Sequence, residues 1–212
     1  GAAKTPKPPP KSALKVLEHK VGGTLLGMGA PVLLVLGNHD VRHGRDKARE
    51  DCILHYAASE PELVMPDVTW TLDAGVVSIV GLNTNALDDT QAKLAAGALR
   101  AAKGWTLFAG HHVVRTYHDK RHEDRVRPWL ARHGLAPDIF ANAHAHIMQL
   151  GVYDGLVSVT SGSTALPRPR PECPPECGDG QRFGTSQTGY AVLDFTPARV
   201  EITFHNTTGK VL

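Results

Sequence analysis

With 212 residues, 42% of them hydrophobic and 21% charged, the chain can build one domain with a real core, which sets aside a disordered or fibrous reading. A formal net charge of +2 is too small for the broad basic field that nucleic-acid binding requires, so no nucleic-acid partner is expected. The apolar run over residues 24–36 is interrupted by Gly27, Gly29 and Pro31 and is too short for a bilayer, so no membrane span is expected either.

In chain order, residues 1–11 carry Pro6, Pro8, Pro9 and Pro10 among three lysines and read as an extended, disordered tail. Residues 12–212 read as one domain. Residues 12–22 pattern as a short helix, with Leu14, Val16, Leu17 and Val21 inward. A strand of branched apolar residues over 32–36 runs into Gly37, Asn38, His39 and Asp40, and Gly37 is expected to let the backbone turn there. Residues 47–59 pattern as an amphipathic helix with Cys52, Leu54 and Ala57 or Ala58 inward, Cys52 as a buried thiol.

Residues 68–72 and 76–82 read as a strand pair turned at Asp73, Ala74 and Gly75. Helices over 94–102 and 126–133 precede two further apolar strands, and Gly134 is the expected C-terminal cap of the second helix. After His146 the pattern is strands alone: 148–153, 156–160, 190–195 and 200–206.

Three of the strands end in metal-ligand chemistry. The first delivers Asn38, His39 and Asp40; the second, from Trp105, delivers His111 and His112; the third, from Ile139, delivers His144 and His146. In open α/β sheets, ligands collect beyond the carboxyl ends of the strands. Imidazole with amide oxygen suits Zn, Mn or Fe better than Ca or Mg. Taken alone, G-N-H-D also fits an Asn-containing turn after a buried strand. The other two strand-end histidine motifs weigh against that bland reading.

The order G-N-H-D, then G-H-H-V-V, then A-H-A-H resembles the calcineurin-like metallophosphoesterase superfamily, whose pattern is G-N-H-[DE], G-H and G-H-x-H. Within it the chain is most similar to the purple, tartrate-resistant acid phosphatase branch. Leu82 to Asn85 stand where that branch has L-D-T-N, Ser161 to Ser163 where it has S-G-A-G, and the stretch from Phe183 to Lys210 resembles its closing pair of strands.

The resemblance implies an α/β sandwich of two mixed β-sheets flanked by helices. The implied activity is hydrolysis of phosphate monoesters by metal-activated water, on a small-molecule phosphate ester or a phosphoprotein. Asn38, His111 and His144 would ligate one ion and His146 another. His39 would hydrogen-bond the phosphate or protonate the leaving group, with Asp40 as its orienting partner, and His112 would face the substrate or pack behind the ligands. The branch also implies an extracytoplasmic or secreted setting.

Two upstream family motifs, D-x-H and G-D-x-x-Y, are not found here: residues 1–39 contain no Asp and one acid, Glu18. With Gly1 rather than Met first, the expectation is a C-terminal two-thirds of the family domain, with the strand over 32–36 left short of a neighbour. Two divalent ions about 4 Å apart repel by roughly 20 kcal/mol even at an effective dielectric near 20. The missing aspartates include the bridging carboxylate that offsets this, so the implied cofactor is one Fe, Zn or Mn ion rather than two. The same absence keeps open a catalytically inactive module that retains the scaffold without the chemistry.

Ala143 replaces the family's Gly, where an added methyl would crowd the turn if a positive φ were needed. Arg115, His118, Lys120, Arg121, His122, Arg125 and Arg127 form a basic stretch, read beyond His118 as a solvated face. Cys173 and Cys177 are spaced for a small disulfide in an oxidising compartment.

Overall fold

The computed structural model describes residues 29–41, 46–116, 125–162, 167 and 180–212. The expected tail, the helix over 12–22, the pair Cys173 and Cys177, and His118, Lys120, Arg121 and His122 lie outside the described residues.

The centre is a seven-stranded mixed sheet in the order β3-β4-β5-β6-β8-β7-β9. Its strands are β3 (Trp70–Asp73), β4 (Val77–Gly81), β5 (Trp105–Ala109), β6 (Ile139–Asn142), β7 (Met148–Tyr153), β8 (Leu156–Ser161) and β9 (Gln181–Thr185). Four neighbours, β4, β5, β6 and β8, run parallel, so the carboxyl ends of β4, β5 and β6 open on one side. The hairpin β3–β4 turns at the expected residues: Gly75 takes φ +78° and donates its N–H to Asp73 Oδ1 at 2.9 Å.

Period-two alternation divides the sheet between two cores. Val80, Phe108 and Phe140 point to one face, where α2 (Asp89–Ala101) and α3 (Val126–Arg132) cover them with Ala92, Ala95, Trp129 and Leu130. Ile139, Met148 and Val159 belong to the other core, which is closed by Phe204 of the antiparallel hairpin β10 (Gly189–Phe195) and β11 (Val200–Asn206). Phe108 and Phe140 are fully buried. Truncating either to Ala would cost about 3–5 kcal/mol.

The helices follow their end signals. The first, α1 (Lys47–Ser59), begins at Asp46, whose side chain accepts from Arg49 N, and α2 begins at Asp88, which accepts from Gln91 N at 3.0 Å. Gly134 closes α3 with φ +60°, and Leu135 N reaches back to Leu130 O at 2.9 Å. Among the described residues no helix is long and apolar enough to cross a membrane.

Several local expectations are corrected. The helix α1 buries Glu50, Tyr56 and Ala57, while Cys52 is a half-buried free thiol and Ala58 is exposed. The face against the neighbouring core runs through Ile53, Tyr56 and Ala57. Two short strands carried no clear period: β2 (Leu63–Val64), and β9, whose alternation is broken where its pairing to β7 shifts between Leu150 and Gly151.

The strand expected over 32–36 is β1 (Val32–Leu33) alone, paired in parallel with β2. Beyond Leu33 the backbone finds its partners elsewhere. Leu34 N still reaches Val64 O at 3.1 Å, but Leu34 O accepts from the Trp70 indole at 2.9 Å, and Leu36 O and Gly37 O accept from Asn85 Nδ2 at 3.2 and 3.3 Å. Side chains, not an adjacent strand, satisfy those carbonyls. Among the described residues β2 is the one strand paired with β1.

Candidate metal centre

Parallel pairing of β5 and β6 continues past the strand ends: Gly110 N donates to Ala141 O at 3.0 Å and Ala143 N to His111 O at 3.1 Å. The backbone therefore sets the 111–112 and 143–146 segments side by side. A Cβ on Gly110 would lie 2.5 Å from Thr84 Cγ2, so only glycine lets β5 turn out into the site at this point.

Three donors meet at one point. His111 Nε2 is 2.8 Å from Asn38 Oδ1 and 2.9 Å from His144 Nδ1. The His111 and His144 rings lie edge to face with centroids 4.8 Å apart. A ring nitrogen offers one in-plane position, a proton or a lone pair, so a single shared bond is the most it can make to both neighbours. Burial, then the positive charge that His39 and His146 would carry, lowers the His111 pKa to about 4. At neutral pH His111 is therefore uncharged, as a ligand must be.

This donor set fits one cation. Tetrahedral ligands at about 2.0–2.1 Å from a metal stand about 3.3 Å from one another. Each observed pair would have to open by roughly half an ångström. Among the described residues no group of three or more His, Cys, Asp and Glu converges in this way; the convergent set is two imidazoles and an amide oxygen.

The remaining expected site residues are placed as follows. His39 is exposed, and its carbonyl accepts from Arg49 Nη1 at 3.3 Å. Asp40 turns its carboxylate onto Gly37 N–H at 2.7 Å, not onto His39, and Asp40 N returns to Gly37 O at 3.1 Å. Asp40 thus closes the ligand-bearing turn. Gly37 itself has no left-handed φ; a Cβ there would stand 3.2 Å from both the His111 ring and Asp40 Oδ2. Its role is close approach, which corrects the expected conformational one.

His112 is buried, with Nδ1 2.9 Å from Thr84 Oγ1 and its ring 4.7 Å from that of His144. It packs behind the donors. His146 is half-buried, and among the described residues it forms no three-histidine group with His111 and His144. The left-handed backbone falls on His144 (φ 46°) and His146 (φ 57°), not on Ala143, so the methyl of Ala143 meets no such constraint.

Sequence reasoning placed Asn83 to Asn85 in a motif without giving them work. Asn85 holds the carbonyls of Leu36 and Gly37, the latter directly before Asn38; Thr84 holds His112; and Gln91 holds Asn83 N at 3.0 Å and Ala86 O at 2.8 Å, bracing the loop. The signal was available: three consecutive small polar residues at the end of an apolar strand.

Fold and donors together define a mixed α/β protein with an imidazole–amide cluster at the carboxyl ends of its parallel strands. Residues 4–148 match the family described as calcineurin-like phosphoesterase, and the chain belongs to that family. No curated protein matches it. The fold is similar to that of GAP50, the anchor in the inner membrane complex of Plasmodium, with TM-score 0.56 at 15% identity over 72% of this chain and 55% of that one. This chain thus spans just over half of that protein. Two other solved structures are matched over more of their length at TM-scores of 0.40 and 0.36. One is a predicted phosphoesterase from Streptococcus pneumoniae, at 12% identity over 94% of this chain and 84% of that one. The other is Vps29 complexed with zinc from Entamoeba histolytica, at 16% identity over 96% and 87%.

Proposed function

We propose that this chain is a metal-dependent phosphoesterase of the acid-phosphatase type, acting on phosphate monoesters with one divalent or trivalent transition-metal ion. The observation that carries this reading is the convergence of Asn38 Oδ1, His111 Nε2 and His144 Nδ1, drawn from segments 73 and 33 residues apart, on one point. Those three side chains would hold the ion. When bound, such an ion lowers the pKa of water towards 7 and polarises a phosphoryl oxygen.

The rest falls to the protein. His39, exposed at the mouth of the turn, hydrogen-bonds the phosphate or gives a proton to the leaving oxygen. Asp40 keeps the turn closed through Gly37, which fixes where Asn38 and His39 point. His112, tied to Thr84, limits how the His111 and His144 rings can tilt. His146 would serve a second cation position only if a carboxylate were supplied to it.

A second reading is favoured by Asn83 standing where the acid-phosphatase branch has Asp: an inactive, phosphoesterase-fold binding module. Elemental analysis of the purified protein and p-nitrophenyl phosphate turnover separate the two. Stoichiometric metal with turnover abolished by a chelator supports the enzyme; stoichiometric metal without turnover leaves the module.

A further inference from the structure

Beside the donor cluster, a cavity of about 330 Å³ lies between α3 and the loop that follows β4, lined by Asn85, Leu87, Arg125, Pro128, Trp129 and Arg132. That volume is at the lower end of what small-molecule sites occupy. The two arginines are seven residues apart, two helical turns, and so share one face of α3 about 10 Å apart along its axis.

Their charge environment differs from that of four other basic residues. Lys47 meets Asp51 at 2.6 Å, Arg49 meets Asp46 at 3.4 Å, Arg199 meets Glu201 at 3.3 Å, and Arg127, on the same helix, meets Asp154. Arg125 and Arg132 meet no carboxylate among the described residues. Arg125 makes a single long bond, Nη1 to Asn85 O at 3.3 Å, which leaves most of its guanidinium donors unused.

The cavity also shares its wall with the supports of the donor cluster. Thr84 and Asn85 line it, and these residues hold His112 and the Leu36 and Gly37 carbonyls.

Resting on the phosphoesterase reading, we infer that this cavity is a specificity subsite: Arg125 and Arg132 take a second anionic group, a phosphate or a carboxylate, on the substrate's leaving portion. Guanidinium forks match the oxygens of either group. Arg125, read in the sequence as part of a solvated face, thereby becomes a working residue.

The test uses the full chain and the double variant Arg125→Gln/Arg132→Gln, with the single Arg132→Gln alongside. Both arginines are exposed, and an unchanged thermal melt confirms folding. Three substrates are compared: phenyl phosphate, 4-carboxyphenyl phosphate and 1,4-phenylene bisphosphate. The double variant is expected to keep phenyl phosphate turnover while losing about tenfold in kcat/KM on an ester bearing the second anion. The larger loss identifies carboxylate or phosphate as the group read. Equal losses on all three substrates, or none on any, overturn the subsite. Should no ester be hydrolysed, the phosphoesterase reading fails, and calorimetric titration with inorganic pyrophosphate in excess chelator decides the anion site. Affinity about tenfold weaker in the double variant upholds it, and equal affinity overturns it.

Discussion

The donors come from two unlike supports. His111 and His144 leave β5 and β6 in the middle of a seven-stranded sheet, in register and hydrogen-bonded beyond the strand ends. Asn38 leaves a two-residue strand outside that sheet, and its approach is propped by the Trp70 indole and the Asn85 amide. The imidazole pair is thus built into the core, while the amide oxygen is held by a few side-chain bonds. Loss of one histidine should be severe and local. Loss of a prop should act at a distance on Asn38 alone.

The largest effect is expected from His111→Ala, because its Nε2 is the point both other donors share. Metal affinity should fall by more than about 100-fold, beyond what loss of a supporting partner costs, as read by titration of the metal-free protein. Asn85→Ala should cost about 10–100-fold in affinity through the freed Leu36 and Gly37 carbonyls while leaving the His111–His144 pair in place. An unchanged affinity in Asn85→Ala would show that the two supports are equally rigid.

Gly110→Ala drives a methyl against Thr84 and should lower stability by about 1–3 kcal/mol in a denaturant melt. Thr84→Val removes two hydrogen bonds to buried His112, one with its ring Nδ1 and one from its backbone N–H, and should cost about 1–3 kcal/mol, with metal affinity reduced less than in Asn85→Ala.

A further effect is on pH. The His111 pKa is lowered to about 4 in the folded chain, below the ordinary 6.5, so between those values the unfolded chain binds the extra proton. This contribution to stability is full above about 6.5 and is lost as pH falls towards 4. Thermal melts of the metal-free protein across that window should slope accordingly, and less steeply in His111→Asn.

Much of this was legible in the chain. The bounds of α1 match the run read over 47–59, β10 and β11 match the strands read over 190–195 and 200–206, and the grouping of His111 with His144 follows from two apolar strands ending alike. The Asn38 support was not. Its bonds to Trp70 and Asn85 join residues 36 to 49 positions apart, and no local period encodes them. For the same reason a run of five strand-forming residues yields only a two-residue strand: its carbonyls are claimed from outside. Asp40 misled because a carboxylate next to a histidine is equally well placed to bond the amide three residues back.

The left-handed backbone at His144 and His146 also limits what could replace them. Few L-residues sit comfortably there; asparagine and aspartate are among those that do, and both carry oxygen donors. Protein engineers therefore have a ready substitution: exchanging His144 for Asp would preserve the main-chain path while tilting selectivity from zinc-like towards manganese- or magnesium-like cations.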